Sequence, residues 1–245
     1  MNSTLARRLT AEAFGTALLL ATVIGSGIMA ERLSDGNAAI ALLANTIATG
    51  AALIALILTF GPISGAHFNP AVTLAAATLH GIPWREVPAY IAAQLTGAFL
   101  GTALANTMFG LPLFFASTHS RTGPAQWLSE FIATFGLLSV IWGATRPRPD
   151  NSSISPLTAP LAVGTYITAA YWFTASTSFA NPAVTLARSA SNTFAGIRPA
   201  DTPAFIVAQF AGALAATTLF RWLYPALPAT AKDILLAHQT KDHAL

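Results

Sequence analysis

The 245-residue chain contains no cysteine. That excludes disulfides, thiolate metal sites and cysteine nucleophiles. Charge is also scarce. Asp, Glu, Lys and Arg together make up 9% of residues, against about 25% in a typical soluble domain. So few charges cannot cover a water-soluble surface of this size. The net charge is only +3, with no Lys/Arg-rich run and no acidic tail, so nothing points to nucleic acid as a partner. What the chain has in excess is hydrophobic residues, at 54%, and the partner they imply is membrane lipid.

Six stretches approach the roughly 20 residues needed to cross a bilayer. They lie near 10–30, 38–60, 87–109, 126–145, 155–174 and 203–224. The amino end (MNSTLARRLTAEAFGTALLL) has the look of a signal peptide, but its apolar stretch runs on to Ile28 and contains Glu12. It therefore reads as an uncleaved first span. Two further apolar stretches, 70–79 and 182–190, are too short to cross.

The halves repeat. NPAVTLA occurs at Asn69–Ala75 and Asn181–Ala187, AEAFGTALL at 11–19 matches SEFIATFGL at 129–137, and AQLTGA at 93–98 matches AQFAGA at 208–213. Order and spacing hold throughout, which divides the chain into 1–115, 125–225 and a tail at 226–245. A duplicated unit of three spans must enter the membrane in opposite senses, giving an inverted-topology repeat. With the amino end inside, Arg7, Arg8, Arg85, Arg146, Arg148, Arg221, Lys232 and Lys241 face the cytoplasm, against Arg32, Arg121, Arg188 and Arg198 outside. That bias places both termini in the cytoplasm.

Helix chemistry explains the repeated heptad. Asn is a strong N-cap and Pro suits the first helical position. Two such starts on segments too short to span read as half-helices dipping in from opposite sides and meeting at the midplane. Non-helical backbone survives at that depth only when buried or lining a water-filled cavity. Each half-helix aims its partly positive amino end at the centre. The side-chain oxygens of Asn69 and Asn181 cap their own helices, leaving the amide NH2 groups free to face a pore. Carbonyls of Gly65, Ala66 and His67, and of Ser176, Thr177 and Ser178, are expected to line the approaches. His67 has no second ligand at metal-binding spacing. The glycines and alanines of GTALLLATVIGSG, TGAFLG and AGALAA read as sites of close helix packing.

SGAHFNPAVT, the AEAFGT opening, the second NPA and the whole-length repeat resemble the major intrinsic protein family, the aquaporins and aquaglyceroporins. The resemblance implies an all-α membrane protein of six transmembrane helices and two re-entrant half-helices, assembled as a homotetramer with one pore per subunit. It implies passive transport of small neutral solutes, no enzymatic activity and no cofactor. It also implies that Glu12 and Glu130, at matching places in the repeats, brace the re-entrant loops by accepting backbone N–H bonds. Gln94 and Gln209 match in the same way and suit packing or loop contacts.

One position departs from the family pattern. Val184 stands where an arginine usually follows the second NPA. Counting without gaps from the two asparagines assigns the rest of the selectivity filter to Thr49, Ala169 and Ser178, a filter with no aromatic, histidine or arginine. Such a filter is wide, and without its fixed charge the barrier to cations falls. Arg188, four residues beyond Val184, lies on nearly the same helix face about 6 Å further out. A long side chain there can fold back toward the filter, but the expectation is an outer-vestibule arginine pointing to water. A bacterial branch encoded beside arsenic-resistance genes shares this valine and moves neutral metalloid hydroxides. The resemblance therefore implies arsenous acid and glycerol as solutes, along with water, in a bacterial inner membrane. A mainly water-conducting channel and a coupled secondary transporter are the alternatives.

Overall fold

The computed structural model describes residues 3–145 and 155–227. Arg146, Arg148, Lys232 and Lys241, and all but the first two residues of the 226–245 tail, lie outside them. Eight α-helices organise the described residues, with no β-strand among them. They are α1 (Leu5–Leu33), α2 (Ala38–Ser64), α3 (Pro70–Thr78), α4 (Val87–Met108), α5 (Pro124–Thr145), α6 (Thr158–Phe173), α7 (Pro182–Arg188) and α8 (Thr202–Leu223). The six long helices and two short ones fall where the hydropathy pattern puts them, although α7 stops two residues short of the expected 190.

Local chemistry sets the boundaries. Thr4 caps α1 by accepting from the Arg7 amide. Asn37 caps α2 by accepting from Ala39 and Ile40. Five helical segments among the described residues are long and apolar enough to cross a membrane. The exception among the six long helices is α6, whose 16 residues extend about 24 Å at 1.5 Å per residue, against roughly 30 Å of hydrocarbon.

Glycines let two helix pairs approach closely. A Cβ on Gly97 of α4 would overlap the Ala13 carbonyl oxygen of α1, and one on Gly101 would overlap that of Ala17. In the second half, a Cβ on Gly212 of α8 would overlap the Phe131 carbonyl oxygen of α5. The α1–α4 and α5–α8 contacts thus use the same device at matching places. Small-residue contacts of this kind suit helices in lipid, where van der Waals packing drives association. The two halves meet through α2 and α6, at Gly50 and Gly164.

Burial inverts the pattern of a soluble protein. The short helices are covered nearly all round, α3 at Pro70–Thr73 and Ala75–Ala77 and α7 at Pro182–Thr185 and Ala187–Arg188. The long helices expose large apolar side chains, including Phe14, Leu18, Leu100, Leu104, Val207, Leu214 and Trp222. A bilayer solvates that exterior, and the helices satisfy their own backbone within it.

The close α1–α4 crossing makes a prediction. Gly97→Leu should abolish the monodisperse peak of detergent-solubilised protein in gel filtration. Overpacking costs about 1–3 kcal/mol even where side chains can shift, and here the obstruction is backbone. Thr96→Leu, on the exposed side of the same helix, should leave the peak intact.

Candidate functional site

Two loops, residues 65–69 and 177–181, break the helical backbone inside the protein. Their conformations repeat. Gly65, Ala66 and Phe68 have φ of 89°, 49° and 49°; the matching Thr177, Ser178 and Ala180 have 59°, 49° and 48°. Glycine tolerates that left-handed region, but a β-branched residue such as Thr177 is an outlier there. Such backbone persists only where its surroundings over-determine it.

The surroundings here are two buried carboxylates. Glu12 Oε1 accepts from Ser64 Oγ at 2.7 Å and the His67 amide at 2.9 Å. Its Oε2 accepts from the Phe68 amide and Gln94 Nε2, each at 2.8 Å. Glu130 accepts from the amides of Phe179 and Ala180, each at 2.9 Å, and from Gln209 Nε2 at 2.6 Å. Both carboxylates are fully buried. Gln94 and Gln209 extend the pattern by donating to Thr73 and Thr185 on α3 and α7.

The half-helices start as the heptad predicts. Asn69 Oδ1 accepts from the Ala71 amide at 2.9 Å, and Asn181 Oδ1 accepts from Ala183 at 2.9 Å and Val184 at 3.3 Å. The amide nitrogens differ from expectation, because neither is wholly free. Asn69 Nδ2 donates to the Ala180 carbonyl and Asn181 Nδ2 to the Phe68 carbonyl, both at 2.8 Å. Each asparagine holds the residue that precedes the other. Of the two hydrogens on each NH2 group, one is committed to this clasp.

A cavity of about 610 Å³ runs past the clasp. It follows α6 from Ala159 to Tyr171 and α2 from Thr49 to Pro62. Asn69, Asn181 and residues 65–68 and 178–180 line it. On the α3 side of the asparagines the wall is largely apolar, with Ile57, Leu137, Ile141 and Val163, interrupted by His67 and Thr145. Val184 lines the other side together with Thr49 and Ser178.

Three expectations are corrected here. Ala169 is exposed and does not line the cavity. The lining stripe of α6 is Pro160, Val163, Ile167 and Tyr171, at helical spacing. Residue 169 lies two positions from both Ile167 and Tyr171, which turns it to the opposite side. Gapless counting failed because it fixes sequence distance from Asn181, whereas helix rotation fixes which residue faces inward. Ser176 and Thr177 are also absent from the wall. The Ser176 carbonyl accepts instead from Arg121 Nη1 at 3.2 Å, and Thr177 lies half-buried beside it. Finally, Arg188 does not extend into an outer vestibule but is folded against the cavity wall. It is only 2% exposed, lines the cavity, and carries its guanidinium carbon 3.3 Å from the centroid of the Phe179 ring.

The wall beyond the asparagines therefore includes two aromatics and an arginine. Tyr171 donates from its hydroxyl to Thr49 Oγ1 at 3.4 Å. The helical spacing of Pro160, Val163, Ile167 and Tyr171 could have indicated Tyr171, and the four-residue spacing from Val184 does put Arg188 on nearly the same helix face. No sequence signal marks Phe179 beyond its position next to Ser178.

The carboxylate network can be tested by removing one acceptor. In Glu12→Gln and Glu130→Gln an amide NH2 would confront the N–H donors now bonded to one oxygen. Each variant should lose about 1.5–3 kcal/mol, the range for hydrogen bonds to charged groups, measured as a lower melting temperature in detergent. Wild-type melting of both variants would show that the loops hold themselves.

Comparisons with known proteins agree with this geometry. Residues 1–179 match the major intrinsic protein family. The chain is 56% identical over 225 residues to aquaglyceroporin AqpS of Rhizobium meliloti (strain 1021), covering 91% of this chain and 93% of that protein. It is 32% identical to the probable aquaporin AqpM of Archaeoglobus fulgidus, covering 91% of this chain and 99% of that one. Aquaporin NIP1-1 of Oryza sativa subsp. japonica is 42% identical over 66% of this chain and 55% of its own length. The X-ray structure of the aquaglyceroporin from Plasmodium falciparum shares the fold, with a TM-score of 0.69 at 21% identity over 92% of this chain and 100% of that one. Members of the family are channels, not enzymes. A buried pair of half-helices beside a long internal cavity, a lipid-facing exterior and these matches together establish that the chain belongs to the major intrinsic protein family of integral membrane channels.

Proposed function

We propose that the chain is a passive channel for small neutral hydroxylated solutes, arsenous acid and glycerol among them, and for water. The observation that carries this reading is the cavity that passes the clasped asparagines and continues beside Val184. Conduction follows this path. The remaining amide hydrogens of Asn69 and Asn181 donate to solute oxygens at the centre, and the amino ends of α3 and α7 disfavour cations there. Beyond them, Thr49 and Tyr171 offer hydroxyls while Val184 and Phe179 offer apolar surface. A compact polyhydroxy molecule has groups to match both. The aquaglyceroporin name of the AqpS relative supports a solute larger than water.

In this reading residues 1–115 and 125–225 are the two inverted repeats and 226–245 a cytoplasmic tail. Four copies form the assembly, in a bacterial plasma membrane with both termini inside. Glu12 and Glu130 hold the re-entrant loops in register, and the filter consists of Thr49, Ser178 and Val184 together with Tyr171 and Phe179.

Vesicle permeability tests the reading. Reconstituted protein should raise glycerol, arsenous acid and water permeability above protein-free vesicles. Val184→Arg should reduce glycerol and arsenous acid flux roughly tenfold while reducing water flux much less, since a bulky charged side chain narrows the passage and water is smallest. Asn181→Asp should reduce all three, because a carboxyl group replaces the donor that both clasps Phe68 and meets solute. A glycerol-to-water ratio unaltered by Val184→Arg would remove that residue from the filter.

A further inference from the structure

We propose that Arg188 supplies the fixed positive charge of this constriction, one helical turn beyond Val184, and is a specificity-determining residue that bars cations and protons. This rests on the channel reading above. Arg188 ends α7, where the helix dipole favours a cation, and lies about 6 Å along the axis from Val184. It is 98% buried yet lines the cavity. Two contacts fix it: its Nε donates to the Ala195 carbonyl, and its guanidinium stacks on Phe179. Its Nη1 is buried with no hydrogen-bond partner among the described residues. No carboxylate pairs with it; the two salt bridges among the described residues are Arg8–Glu86 and Arg198–Asp201.

A buried arginine in a membrane protein is costly, and such residues face a bundle interior or an aqueous path. Neutralisation by a neighbouring carboxylate would remove the cost but also the field. Here the cost is met by a π face, a carbonyl and the cavity, and the field persists.

Arg121 provides the contrast. It lies over the same Phe179 ring, 5.2 Å from the centroid. Its donors, however, go to Gly196 O, Ser176 O, Thr177 Oγ1 and Phe194 O, and it does not line the cavity. Arg121 ties the loops together, whereas Arg188 faces the passage.

The experiment compares wild type, Arg188→Gln and the double variant Val184→Arg/Arg188→Gln in vesicles. Potassium and proton leak are read by potential- and pH-sensitive dyes alongside glycerol flux. Arg188→Gln should raise cation leak about tenfold or more, as expected for losing a weakly screened charge at close range. Its glycerol flux should rise by no more than a few-fold. The double variant, which moves the guanidinium one turn inward, should return leak to the wild-type level. Cation leak equal to wild type in Arg188→Gln, with glycerol flux present, overturns the proposal and leaves the channel reading standing. If Arg188→Gln does not reconstitute, Arg188→Met takes its place: cation leak equal to wild type with glycerol flux present overturns the proposal, and a raised leak supports it. Wild-type vesicles that pass no glycerol would instead defeat the channel reading itself.

Discussion

The two asparagine amides hold the centre of this protein. Each caps its own short helix with its oxygen and grips the carbonyl preceding the other asparagine with its nitrogen. In a bilayer interior, unpaired backbone groups cost several kcal/mol each, so helices cannot simply stop there. The clasp lets two helices begin inside the protein, each tying down the backbone just before the other. Everything nearby follows: the left-handed loops that deliver the asparagines, the carboxylates that fix those loops, and the glutamines that tie the carboxylates back to α3 and α7.

The same arrangement leaves a polar path in an apolar body. Carbonyl oxygens in these loops cannot join a helix ladder; those of Phe68 and Ala180 are taken up by the asparagine amides. Largely apolar walls on one side and mixed aromatic, hydroxyl and guanidinium groups on the other make the path asymmetric along its length. In the proposed reading, water and small polyhydroxy molecules exchange hydrogen bonds with such a wall, whereas a bare ion meets too few oxygens and a positive field.

Much of the fold was legible because its constraints are local or periodic. Bilayer thickness set span lengths, Asn-Pro marked two helix starts, and offsets of 112 to 118 residues paired Glu12 with Glu130 and Gln94 with Gln209. The proposed filter was only partly legible. Thr49 and Val184 line the cavity as expected, but Ala169 does not, since which side of α6 faces inward depends on its rotation against α2 through Gly50 and Gly164. The four-residue spacing put Arg188 on the face of Val184 but favoured an outward course for its side chain, because the surroundings that decide, Phe179 and Ala195, are assembled by tertiary contact. The second hydrogen bond of each asparagine was missed for the same reason: a cap can be read from one strand of sequence, but a clasp needs two.

That clasp has a consequence for synthesis. Glu12 finds all its partners between residues 64 and 94, so the first loop can be braced as soon as α4 is in place. The partner of the Asn69 amide lies 111 residues downstream. Until the ribosome has delivered Ala180, the first half-helix waits in the membrane with its amide unmatched. The first brace can therefore form long before the passage does, whereas the second brace, which joins Glu130 to Phe179, Ala180 and Gln209, and the clasp itself both need the last third of the chain.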